Sequence, residues 1–114
     1  MNTRRTERVG QLIREELSLI VLKEAKDPRI GSLEITRVKV SPDLREATVF
    51  YRVVGKDMDP NIVAEALQRA SGFFQKKLGQ KLALRTTPLI RFQYDATLEE
   101  AIRVEALLEE VKTD

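Results

Sequence analysis

The side chains in this sequence best equipped for chemistry are its cations. Positions 66 to 94 contain no Asp or Glu yet carry Arg69, Lys76, Lys77, Lys81, Arg85 and Arg91. A stretch of one sign repels itself unless a polyanion or counterions screen it, so phosphate is the natural partner. Lys77 and Lys81 lie one helical turn apart on a shared face with Lys76 beside it. Together they can form a broad phosphate-binding patch that Arg85 extends. Ser71 and Gly72 precede the patch, and a missing Cβ at Gly72 would admit phosphate to helix amides. Arg4, Arg5 and Arg8 form a second cluster at the amino end, where cations oppose the dipole of the helix they begin. Arg37, Lys39, Arg45 and Arg52 on a hairpin could also reach a nucleic acid, or could pair across strands with Glu34 or Glu46. The plainer alternatives are a solvated helix face for the lysines and relief of helix crowding for Gly72.

Catalysis has little to work with. The chain has no histidine and no cysteine, which removes the usual metal ligands, the usual base near neutral pH and every thiolate mechanism. The pairs Glu15-Glu16, Glu99-Glu100 and Glu109-Glu110 are sequence neighbours on predicted helices, so the members diverge by about 100° and suit solvated faces better than acid/base work. The five glycines are scattered and form no phosphate-cradling loop. No enzyme activity, cofactor or metal is therefore expected.

The net charge of +2 conceals an asymmetry. Residues 1–95 hold 18 Lys/Arg against 12 Asp/Glu, whereas residues 96–114 hold 2 against 6. The start, Met1 to Arg5, leads into charged residues, so no signal peptide is expected, and the apolar runs are too short to cross a bilayer. A cytoplasmic monomer is expected, with no membrane partner.

These groups need a scaffold, and the 114 residues suffice for one modest core. Val9, Leu12, Ile13, Leu17, Ile20 and Val21 repeat at helical spacing, predicting a helix over 6–25 that Asp27-Pro28 ends, followed by a turn through Gly31. Leu33 and Ile35 alternate with one parity and Val38 and Val40 with the other, which predicts a strand with a bulge at Thr36-Arg37. Ser41-Pro42-Asp43 predicts a turn, returning the chain as an antiparallel strand over 44–54 with its aromatics in the core. Asp59-Pro60 announces a helix to Leu84, kinked or broken at Ala70-Ser71-Gly72. A third strand over 89–95 and a helix over 97–112, opened by a Thr97-x-x-Glu100 box, complete the chain.

The chain also resembles a known family. Arg4-Arg5 with Arg8-Val9, Asp27-Pro28-Arg29, Val38 to Asp43 (Val-Lys-Val-Ser-Pro-Asp) followed by Leu44 and Ala47, Leu84-Arg85 with Pro88, and Phe92 with Asp95 are similar to the bacterial ribosome-binding factor A proteins. The resemblance implies an α+β, type II KH-like domain of order α-β-β-α-kink-α-β, a three-stranded sheet packed on helices, plus a C-terminal helix. In that fold the usual GxxG loop is replaced by a helix-kink-helix, which Ala70-Ser71-Gly72 matches. Residues 1–95 would be the RNA-binding domain and residues 96–114 an acidic helical extension. The resemblance further implies a factor that binds the free 30S subunit and its 16S rRNA, supports late maturation and 5′-end processing, and serves cold adaptation. An assembly GTPase would be a further partner. The alternative is a protein-interaction module, in which the stripe Ala101, Val104, Leu108 and Val111 packs on a partner without RNA contact.

Overall fold

The computed structural model describes residues 3–23, 28–31, 33–54 and 59–112. The first helix, α1 (Arg4–Lys23), begins two residues before the start expected from the sequence. Thr3 and Thr6 are the reason. The Thr6 amide donates to the Thr3 hydroxyl at 3.2 Å, and the Thr3 amide donates to the Thr6 hydroxyl at 2.9 Å. Two otherwise orphaned donors are satisfied reciprocally, with threonine doing what Glu or Gln does in the usual capping box. Arg4, Arg5 and Arg8 are thereby fixed on a helix. Val9, Ile13, Leu17, Ile20 and Val21 are buried, whereas Leu12 is 39% exposed at the margin of the stripe. The expected continuation through Ala25, and Asp27, lie outside the described residues. The turn expected after it is a single helical turn, α2 (Pro28–Gly31), which buries Ile30.

Strand β1 (Leu33–Val40) pairs antiparallel with β2 (Glu46–Val53), and the register shifts between Ile35 and Arg37, as the broken alternation predicts. The turn between them is built from side chains. Ser41 Oγ donates to Asp43 Oδ1 (2.7 Å), Asp43 Oδ1 also accepts the Arg45 amide (3.1 Å), and the Glu46 amide donates to Ser41 Oγ (3.0 Å). These bonds hold Leu44 at φ 62°, a left-handed conformation that a leucine adopts only under constraint. The strand consequently starts at Glu46 rather than Leu44.

Helix α3 (Pro60–Lys81) starts as expected, with the Asn61 amide donating to Asp59 Oδ1 at 2.9 Å and proline at the first position. It runs unbroken through Ala70-Ser71-Gly72, so of the two forms expected there the interrupted helix is absent. The Ser71 hydroxyl donates back to the Gln68 carbonyl at 2.9 Å, a competition with the backbone ladder that bends helices. Strand β3 (Leu89–Tyr94) joins parallel to β2, giving the order β1-β2-β3 with β2 central. Gln75 locks α3 to that strand. Its Nε2 donates to the Pro88 carbonyl (2.9 Å) and its Oε1 accepts the Ile90 amide (3.0 Å).

The core lies between α1 and α3 on one side and one face of the sheet on the other, with Ile13, Leu17, Val49, Val63, Leu67, Phe74 and Leu78 fully enclosed. Close approach of α1 to β1 depends on Gly10, where a Cβ would sit 3.1 Å from the Val38 carbonyl oxygen. The other face of the sheet is open, and Phe50 lies there instead of in the core, with the Arg37 guanidinium 4.0 Å from its ring centre. Alternation explains the difference, because Ala47, Val49 and Tyr51 claim the inner face and Phe50 has the opposite parity.

The last described element is α4 (Thr97–Lys112), joined to β3 by only Asp95 and Ala96. Residues 100–110 are all exposed. No helix among the described residues is long and apolar enough to cross a membrane, and no described His, Cys, Asp or Glu cluster has the makings of a metal site.

Candidate nucleic-acid interface

Three segments remote in sequence meet at one end of the body. Arg5 comes from α1, Arg45 from the end of the hairpin turn and Arg85 from the loop after α3, and all three line a concavity of about 280 Å³ with Leu44 and Pro88 in its wall. All three are exposed at the residue level, and none forms an ion pair with a described carboxylate. Asp43 lines the same hollow, but its Oδ1 is engaged by the Ser41 hydroxyl and the Arg45 amide. Those bonds, the hydroxyl first, hold its carboxyl below the ordinary range, so it remains ionised and leaves the hollow with a surplus of two positive charges. The strained Leu44 sets the direction in which the chain enters Arg45. The Arg45 carbonyl is in turn held by the Leu89 amide at 2.8 Å. Three guanidiniums around a hollow are suited to an anion with several acceptor oxygens, since each offers a planar fork of donors.

The remaining candidates divide. Arg4 and Arg8 flank Arg5 on the exposed side of α1 but do not line the hollow. Lys76 and Lys81 are exposed on α3, while Lys77 is half-buried with its Nζ 5.9 Å from the Phe73 ring centre. Ser71 and Gly72 are exposed on the same helix. A Cβ built on Gly72 would meet nothing within 4 Å, so this glycine does not relieve crowding, and the packing account of it fails. An exposed mid-helix glycine costs about 1 kcal/mol relative to alanine without a packing return. What it leaves is bare backbone that a ligand can approach.

On the hairpin, Arg52 is engaged, with its Nε and Nη2 at 2.8 and 2.7 Å from Glu34 Oε2. Arg37 covers Phe50 and lies 3.8 Å from Asp95. Glu46 is taken by Arg91 at 3.2 Å. Lys39 is exposed on β1 opposite Thr48. Lys39 apart, the cations of the sheet face are paired with carboxylates, and positive charge concentrates instead at the three-arginine hollow and along α3. Sequence reasoning ranks Arg45 below Arg5 and Arg85, with the other hairpin cations. The signal that raises it is the Ser-Pro-Asp turn, which ties the residue after Leu44 by its own amide.

Comparison with known proteins bears on the family and the fold. The family model described as "Ribosome-binding factor A" matches residues 5–108. The chain belongs to that family. A ribosome-binding factor A from Halothermothrix orenii is 41% identical over 114 residues, covering 100% of this chain and 93% of its own. One from Thioalkalivibrio sulfidiphilus is 44% identical over 105 residues, covering 92% and 81%. Among solved structures, the crystal structure of the Thermus thermophilus factor matches with a TM-score of 0.68 at 19% identity, over 78% of this chain and 94% of that one. A homology model of the Thermus factor, fitted into a cryo-EM map of its complex with the 30S subunit, matches at 0.66 and 19%, over 79% and 94%. The α+β fold is thus that of ribosome-binding factor A structures and is consistent with the KH-like expectation.

Proposed function

We propose that this protein is a non-catalytic assembly factor that docks on the free 30S subunit by holding 16S rRNA phosphates against its basic surface. The observation that supports this most is the convergence of Arg5, Arg45 and Arg85, from three separate segments, on one hollow. Such an arrangement costs self-repulsion in the free protein, which a polyanion relieves. The bare backbone at Gly72, with Lys76, Lys77 and Lys81 following it, supplies a second contact on the long helix, and Arg4 and Arg8 widen the first. Membership of a family named for ribosome binding, and the 30S complex of the Thermus relative, support the choice of particle.

A factor of this kind acts without a reaction of its own. Binding one rRNA conformation more tightly than others shifts its population, and a tenfold shift needs about 1.4 kcal/mol of differential affinity. That is how it would support late maturation and 5′-end processing of 16S rRNA, and why it would matter in the cold, where misfolded RNA escapes slowly. It works in the cytoplasm as a monomer, and an assembly GTPase is the class of partner that would release it.

The test is binding to purified small subunits across a salt series. Replacing Arg5, Arg45 and Arg85 together by alanine should flatten the log-log salt slope by roughly 2 to 3, at about 0.7–0.9 for each phosphate no longer held. Replacing Lys76, Lys77 and Lys81 should have a similar effect if the helix shares the binding. Unchanged slopes in both variants, with the fold intact by circular dichroism, would overturn the reading.

A further inference from the structure

The basic body leaves α4 unexplained. Its sequence holds five acidic residues against Arg103 and Lys112, the reverse of the body's balance. Ala101, Val104 and Leu108 fall on one stripe with Leu107 beside it, and Val104, Leu107 and Leu108 are 54%, 55% and 56% exposed. With Ile102, which is 58% exposed and lies off this stripe, α4 holds four large apolar side chains in water among its described residues, and the three that cluster mark a surface meant to be covered.

What covers it follows from charge and from the junction. RNA is excluded by sign, because phosphates repel a helix of net negative charge and offer no apolar groove. A second copy is disfavoured for the same reason, since pairing two α4 stripes brings two acidic helices together. Folding back onto the body's own arginines is opposed by the clasp at Asp95. Its Oδ2 accepts the Thr36 hydroxyl at 2.6 Å, its Oδ1 accepts the Thr97 amide at 3.0 Å, and its amide donates to the Tyr51 carbonyl at 2.7 Å. The Glu100 amide donates to the Ala96 carbonyl at 2.9 Å, so helical bonding begins at once and no slack remains. The direction of α4 is thereby tied to the sheet, and its 16 residues reach about 24 Å from that anchor.

We infer that α4 docks its Ala101-Val104-Leu108 stripe into an apolar groove on a positively charged protein component of the particle whose RNA the body holds. This rests on the rRNA reading above. The two charge signs then have separate tasks on one ribonucleoprotein: the body finds phosphate, and α4 is driven off phosphate onto protein. Two sites joined through a two-residue junction also reinforce each other, since engaging the first raises the effective concentration of the second.

The experiment uses the full chain and purified small subunits. Val104→Gln with Leu108→Gln alters exposed positions only, leaves the charge of α4 unchanged, and should weaken binding to subunits about tenfold while leaving binding to protein-free 16S rRNA unchanged. In parallel, Leu107→p-benzoylphenylalanine, bound to subunits and irradiated, should cross-link to a ribosomal protein within a Lys/Arg-rich segment. Native affinity in the double variant, or a cross-link to rRNA or to a second copy, overturns the α4 assignment. The Arg5/Arg45/Arg85→Ala variant separates the two proposals. If it loses affinity while the α4 variant does not, only α4's role falls. If both it and the Lys76/Lys77/Lys81→Ala variant bind subunits and naked rRNA as the native chain does, the rRNA reading falls, and a protein cross-link from Leu107 without it would assign docking to α4 alone.

Discussion

Helices α3 and α4 start alike and end up in opposite situations. Each is opened by an aspartate whose carboxylate accepts the amide two residues on, Asp59 from Asn61 at 2.9 Å and Asp95 from Thr97 at 3.0 Å. Each carries apolar residues at helical spacing. Yet α3 buries Val63, Ala66, Leu67, Phe74 and Leu78, while α4 leaves every residue from 100 to 110 exposed. Local chemistry forms a helix in both places, and only tertiary position decides whether the apolar stripe finds a partner within the chain. The charges follow the same division. The one acidic residue of α3 is Glu65, against four cations, whereas α4 is acidic.

The contrast is broken most severely by truncating one apolar side chain in each helix. Phe74 is 0% exposed and meets Phe73 and Phe92 edge-on with ring centres 5.5 Å apart in both cases. Phe74→Ala should cost about 3–5 kcal/mol of stability, through the forfeited transfer energy and the cavity left behind. Leu107→Ala should change it by less than about 0.5 kcal/mol, because the side chain is already in water. Chemical denaturation of the two variants measures both. A large loss for Leu107→Ala would mean that α4 packs on the body in solution, against the arrangement described.

Two glycines sharpen the comparison at the next scale. Gly10→Ala places a methyl 3.1 Å from the Val38 carbonyl oxygen, and β1 cannot retreat without breaking its pairing with β2. An overpacking cost of about 1–3 kcal/mol then outweighs the helix-propensity gain of about 1 kcal/mol, for a net loss near 1. Gly72→Ala meets open space and should stabilise by about 0.5–1 kcal/mol. Thermal melts give both signs. If Gly72 is kept bare for phosphate, the stabilised variant should also bind subunits less tightly, so the two readouts move in opposite directions.

These residues also mark how much of the structure is legible in the sequence. The break in parity between Ile35 and Val38 locates the bulge, because alternation is a local property of a strand. Asp59-Pro60 locates the start of α3 for the same reason. Gly72 stands out in the sequence because it interrupts a helical pattern, whereas Gly10 does not, although Gly10 is the one against which another element packs. Only the tertiary approach of α1 to β1 distinguishes them. The parallel pairing of β2 with β3 is not spelled out by any local pattern. Residue type places Phe50 in the core, and strand parity overrules it. The meeting of Arg5, Arg45 and Arg85 depends on segments 40 residues apart, so composition suggests a basic surface without drawing its outline.

The finest test concerns the two-residue joint that keeps α4 apart from the body. Asp95 has its carboxyl lowered to about 2, first by the Thr36 hydroxyl, then by the hydroxyl and amide of Thr97, with Arg37 adding a smaller share. An unfolded aspartate titrates near 3.9, so the folded joint prefers the ionised form. Its contribution is complete above about pH 4 and is lost as the pH falls through about 2. Because α4 buries no described side chain between residues 100 and 110, loosening this joint should free α4 without unfolding the body. Hydrogen exchange read by peptide should show faster exchange over 97–105 on acidification between those values, after correction for the intrinsic pH dependence, with the amides around Phe74 still protected. Asp95→Asn should already show that faster exchange at neutral pH and lose the acid step, since an amide presents no charge to Thr36, Thr97 or Arg37. If α4 and the core instead opened together in both cases, the division between a packed helix and a tethered one would be wrong, and α4 would have to be counted as part of the body's cooperative unit.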